Sequence, residues 1–177
     1  MRIPDWTPER APRDTMLVDA IKARRGGSFL NLDLALLWSE PLARGWNAMF
    51  RAIRQEFAVD PMLKELAICT VARLTKADYE FGHHAPEYVK AGGNADLLPL
   101  LDDPDAAAVA PAFSADERLA IRYAIAMTRE IQVPDALFAE LRTRFNETEI
   151  VELTAAIAGY NMVARFLEAL QVNPEKR

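Results

Sequence analysis

The chain has 177 residues, 51% of them apolar and 27% charged, which suits one soluble domain. Its 21 basic and 26 acidic residues leave a formal charge of -5 and no cationic surplus for nucleic acid; its single cysteine excludes an intramolecular disulfide, a Cys-x-x-Cys redox pair and a cysteine zinc site. The apolar runs are short and broken by charge, so no membrane span is expected. The opening residues, Met1 to Trp6, lack the apolar core of a signal peptide, so a cytoplasmic location is expected.

Pro4, Pro8 and Pro12 break the first dozen residues, which predicts an extended arm over 1–13 with Trp6 as its one large anchor. Residues 14–177 then read as a single helical domain. Leu17, Ala20, Ile21 and Arg24 share a stripe, and Gly26-Gly27 ends that helix. Asn31 to Trp38 is a short apolar stretch. Ser39 is placed to cap the next helix, with Pro41 in its first turn and Leu42, Trp46, Met49, Phe50 and Ile53 at helical spacing. Asp60-Pro61 is a strong start signal for a helix to about Leu74 that is apolar on most of its circumference, interrupted only by Lys64, Glu65 and Arg73. Such a helix is buried on several sides, and a glutamate within it needs a reason to be there.

A second helix is predicted from Asp78 to Ala91, closed by Gly92-Gly93 and bent at Pro86, which withdraws a donor from the carbonyl of Gly82. Asn94 opens a short helix through Leu101, and Asp102 to Ala112 reads as a loop. Ser114 and Glu117 form a capping box for a helix to about Ile131; Pro134 starts another to Phe145; Asn146 with Glu149 caps a last long one ending near Gln171. No segment alternates with period two, so the expected class is all-α without a sheet. A faint echo joins Leu66-Ala67-Ile68 and Thr75 to Leu119-Ala120-Ile121 and Thr128, as two similarly packed hairpins would produce.

The chain has two histidines, His83 and His84, and they are adjacent. Glu80 lies one helical turn before them and shares a face with one of the two. A carboxylate that accepts from an imidazole fixes its tautomer and raises its basicity, as general acid–base chemistry requires. Glu65 stands on the preceding helix, where a short turn brings it toward Glu80, and two carboxylates in a partly apolar site push one pKa upward. On that geometry Glu65, Glu80 and His84 are the candidate catalytic residues, with a carboxyl oxygen of Glu65 expected within about 6 Å of a His84 ring nitrogen, in reach directly or through water. The structural alternative pairs Glu65 with Arg73 or Arg118. A metal is not expected: Glu80-x-x-His83 is half of the paired Glu-x-x-His of di-iron bundles, and no third histidine completes it. Cys69 reads as a small buried hydrophobe, and the Lys22, Arg24, Arg25 cluster as cations complementing a helix C-terminus.

Glu65-Leu66-Ala67-Ile68 through Tyr79-Glu80-Phe81-Gly82-His83-His84, with Gly92 following, resembles the carboxymuconolactone decarboxylase family, which includes the AhpD-like alkylhydroperoxidases. The likeness extends through Glu117-Arg118 and the segment from Tyr160 to Phe166. In the peroxidase branch a Glu is followed by Cys-x-x-Cys-x-x-x-His; the two cysteine positions here hold Ala77 and Glu80, and the histidine position holds His84. In the decarboxylase branch Glu-x-x-x-His occupies this place, which Glu80 and His84 match. The resemblance implies an AhpD-like helical bundle around a central antiparallel hairpin, self-association to a trimer or hexamer, and no cofactor. The expected function is a cofactor-independent decarboxylase or related lyase whose substrate is a small carboxylated lactone or oxo-acid. An arginine such as Arg73 or Arg118 would hold the substrate carboxylate. A non-catalytic oligomeric binding protein of the same fold is the alternative. Peroxidase activity is disfavoured, because thiol cycling needs an attacking and a resolving cysteine.

Overall fold

A computed structural model describes residues 1–10 and 14–175 of the chain; the expectation at Pro12 lies outside the described residues. About 70% of the chain is helical, and among the described residues there is no strand. The contacts divide it into two compact units, Met1–Glu56 with Leu167–Arg177, and Phe57–Phe166.

The first unit holds α1 (Thr15–Arg24), α2 (Asn31–Leu36) and α3 (Glu40–Gln55). Asp14 caps α1 by accepting from the Leu17 N–H, and Gly26 and Gly27 follow its end at φ +75° and +104°, backbone that a residue with a Cβ adopts only at a cost. The N-terminal residues dock on their own unit. Trp6 is buried edge-on against Phe29, and the indole N–H of Trp38 donates to the Pro4 carbonyl. Two local expectations need correction. Ser39 sits at the N-cap of α3 but its hydroxyl makes no capping bond, and Leu42 and Met49 are 41% exposed. The stripe that packs inward is Ala43, Trp46, Phe50 and Ile53, and Leu42 and Met49 fall to its edges.

The second unit is organised around α4 (Pro61–Thr75), which packs against α5 (Asp78–Lys90) and against α7 (Ala115–Arg129). Asp60 caps α4 by accepting from Met62 and Leu63, and every residue from Leu63 to Ala72 is buried. Lys76 ends the helix in the left-handed region at φ +57°, where its N–H reaches the Ala72 and Arg73 carbonyls. The turn leaves only Lys76 and Ala77 between the helices, so α4 and α5 run antiparallel as neighbours.

After α5 come a 3-10 helix (Ala95–Asp102) and α6 (Pro104–Ala107). Asp102 to Ala112 is therefore not wholly loop: the Asp103 carboxylate accepts from the Ala106 N–H and starts one helical turn there. Ser114 and Glu117 close their reciprocal box on α7. The ion pairs Arg122–Glu140 and Arg144–Asp116 link α7 to α8 (Asp135–Arg144).

Asn146 and Glu149 exchange bonds at the start of α9 (Glu147–Leu170), which is long and apolar enough to cross a membrane by length and composition alone. Its buried side chains and its bonds from Thr154 to Tyr123 and from Asn161 to Thr128 pack it as a core helix against α7. Leu66-Ala67-Ile68 and Leu119-Ala120-Ile121 are all buried, on the two helices α4 and α7 that pack together.

Candidate functional site

Glu80, His84 and Tyr88 recur every fourth residue along α5 and form one buried stripe. Across from them on α4 lie Glu65 and, one turn on, Cys69. The hairpin brings Nδ1 of His84 to 2.6 Å from Oε2 of Glu65, a short charge-assisted bond in which the ring N–H donates to the carboxylate. On the other side of the ring, Nε2 is 3.4 Å from Oε2 of Glu80, outside hydrogen-bond geometry, and neither atom has a hydrogen-bond partner among the described residues. All three residues are buried, Glu65 at 6% exposure and Glu80 and His84 at 3%. The imidazole thus has an anchored end at Nδ1 and an uncommitted end at Nε2.

Two further groups complete the surroundings. Nζ of Lys64 is 3.8 Å from Oε1 of Glu65, and the Tyr160 ring stands edge-on to the His84 ring with centroids 4.5 Å apart. Burial opposes a charged imidazole, but the hydrogen bond to Glu65 and the negative charges of Glu65 and Glu80 outweigh it, so the His84 pKa lies above its ordinary value. Cys69 is fully buried, and burial together with the Glu65 charge drives its thiol far upward, away from thiolate chemistry.

The other candidates are engaged elsewhere. The Arg73 guanidinium stacks on the Phe81 ring at 3.4 Å, with Asp102 at 3.1 Å and Asp78 at 3.9 Å. Arg118 donates to the backbone carbonyls of Ala110 and Phe113. Neither pairs with Glu65, so the arginine partner read from the sequence is replaced by Lys64 and His84. The His83 ring packs on Tyr79 at 4.6 Å. The Tyr88 hydroxyl donates to Glu117, and burial with that carboxylate's charge pushes the phenol up to about 12. Among the described residues no group of three or more His, Cys, Asp or Glu side chains is arranged to hold a metal ion.

Sequence reasoning passed over the roles of Lys64 and Tyr160. The signal for Lys64 was present, since it interrupts the same apolar run as Glu65. Tyr160 comes from α9 and nothing local announces its contact with His84.

No family model matches the chain. The chain is 30% identical over 132 residues to the uncharacterized protein YnjA of Escherichia coli (strain K12), covering 70% of this chain and 71% of that one. Among solved structures it is similar to an uncharacterized peroxidase-related protein from Silicibacter sp. TM1040, with a TM-score of 0.80 and 22% identity over 99% of this chain and 91% of that one. An AhpD-core, peroxidase-related protein from Ralstonia eutropha JMP134 follows at 0.77, with 16% identity and coverage of 99% and 92%. The debrominase Bmp8 in complex with 2,3,4-tribromopyrrole superposes at 0.75, with 19% identity and the same coverage.

Proposed function

We propose that the chain, which belongs to the family of YnjA and has an AhpD-like fold, is a cofactor-independent acid–base enzyme, of decarboxylase or related lyase type, acting on a small carboxylated lactone or oxo-acid. The observation that carries the reading is the polarity of the imidazole: Nδ1 held at 2.6 Å by Glu65, Nε2 turned to Glu80 without a hydrogen bond. Glu65 fixes the ring and stabilises its protonated form. The C–C bond to the substrate carboxylate breaks, CO2 leaves, and the electron pair moves onto the conjugated carbonyl oxygen. Nε2–H of His84 then protonates the carbon as the carbonyl re-forms, and the imidazole regains its proton from water. Glu80 orients the Nε2 edge.

The substitution of both peroxidase cysteine positions by Ala77 and Glu80 supports this reading over thiol peroxide chemistry. The close burial of all three site residues favours a second reading, a non-catalytic oligomeric binding protein. We also propose a cytoplasmic location and self-association to a trimer or hexamer, on the family and on exposed apolar side chains such as Val109 and Val151. Sedimentation at micromolar concentration tests the assembly, and a clean monomer ends it.

The activity test is CO2 release from a panel of small carboxylated lactones and β-oxo acids. His84→Gln should lower kcat on an active substrate by about 10²–10⁴-fold. No release above the buffer rate from any member would leave the binding-protein reading in its place.

A further inference from the structure

Lys64 has no task in the acid–base reading. It is buried at 5% exposure on an α4 face whose neighbours Leu63, Leu66 and Ala67 are buried too. A desolvated ammonium costs several kcal/mol unless an anion meets it, and its position 3.8 Å from Oε1 divides the Glu65 carboxylate. One oxygen faces Lys64 and the other faces Nδ1 of His84.

Among the described residues, ionisable groups reach the imidazole from three helices. Glu65 reaches it from α4 and Glu80 from its own helix, and Tyr160 packs on it from α9. Further along, Tyr88 is tied to Glu117 of α7, Cys69 lies buried on α4, and Arg73 is paired with Asp78 and with Asp102 of the 3-10 helix. Two carboxylates acting on a buried imidazolium by themselves would bind its proton too firmly for transfer. A second cation beside one of them weakens that hold.

We propose that Lys64 is a positioning residue for His84: it holds Oε1 of Glu65 so that Oε2 stays on Nδ1, and its charge eases release of the His84 proton. The catalytic consequence rests on the acid–base reading above, whereas the electrostatic part does not. Two histidines make the test direct. NMR titration of the imidazole protons, assigned with His83→Asn, reads the His84 midpoint in wild type and variants.

Lys64→Met should raise that midpoint by about one pH unit, the effect of a unit charge acting through a partly screened interior. Lys64→Arg should return it to near the wild-type value. On an active substrate, the His84 limb of the kcat profile should move in the same direction. A midpoint that stays or falls in folded Lys64→Met overturns the proposal, as does Lys64→Arg behaving like Lys64→Met. Should Lys64→Met not fold, Lys64→Gln takes its place, and failure of both marks Lys64 as structural and overturns it too. A midpoint that moves as expected with no substrate turned over leaves this inference standing and removes the decarboxylase reading.

Discussion

Nδ1 of His84 donates to Oε2 of Glu65 across 2.6 Å, joining two residues nineteen apart in sequence and one helix apart in space. Both are buried, so little solvent screens the pair. Removing one partner would leave a buried charge without its counterpart. Glu65→Ala should therefore cost about 3–5 kcal/mol in chemical unfolding. Glu65→Gln, which keeps a hydrogen-bonding oxygen, should cost less. A cost below about 1 kcal/mol for Glu65→Ala would show that the pair adds no net stability.

The same bond sets a pH dependence. His84 has its folded pKa raised above the ordinary value of 6.5, by interactions with Glu65 and Glu80 that outweigh burial. Its contribution to stability is then fully present below about pH 6.5 and is lost as pH rises through the folded pKa. Each unit of elevation corresponds to about 1.4 kcal/mol. Unfolding free energies of wild type and His84→Gln, measured from pH 5 to 9 or so, should converge toward the alkaline end. A difference that widens with rising pH would contradict the assignment.

Cys69 should be silent in the folded protein. It is fully buried and its thiol is driven upward by burial and by Glu65, so neither peroxide nor a disulfide reagent meets a thiolate. The expected result is no reaction with an aromatic disulfide under native conditions and one equivalent in denaturant. Peroxide turnover with a dithiol reductant should be negligible, and turnover lost in Cys69→Ser would reverse that conclusion.

Gly93 and Gly82 should respond in opposite senses to alanine. A Cβ at Gly93 would overlap the fully buried Tyr88 ring, whereas one at Gly82 meets nothing within 4 Å. Gly93→Ala should lose about 1–3 kcal/mol as an overpacked site. Gly82→Ala, on an exposed position of α5, should gain about 0.5–1 kcal/mol. Denaturant midpoints at constant slope read both.

Ile131 is a β-branched residue held at φ +66° and 81% exposed, where α7 ends. Its side chain gains little from burial there while its backbone sits in the left-handed region. Ile131→Gly should raise stability by about 1 kcal/mol. An unchanged or lower midpoint in the thermal melt would mean that the isoleucine is held by contacts that offset the strain.

The elements that could be read from the chain are those whose physics is local. Asp60, Ser114 and Asn146 satisfy backbone donors within three residues of themselves, so their helices start where the residue types say. The Glu80–His84 spacing is likewise a property of one helix. Ser39 has the residue type but makes no capping bond, and Asp103 starts a helical turn inside what read as a loop. Leu42 and Met49 fit the apolar period of α3 yet stay 41% exposed, since how far a stripe extends depends on what covers it.

The site needed more than local rules. An α4 that is apolar on nearly every side has no amphipathic direction, so its sequence does not say which face meets α5. Packing against α5 and α7 at once sets its rotation. That rotation turns one oxygen of Glu65 to His84 and the other to Lys64, and α9 brings Tyr160 onto the ring from far along the chain. Residue type and spacing determined that Glu65, Glu80 and His84 were available for one cluster. The order of contacts along it, and hence which imidazole nitrogen is committed, comes from burial on several sides at once, which no single segment encodes.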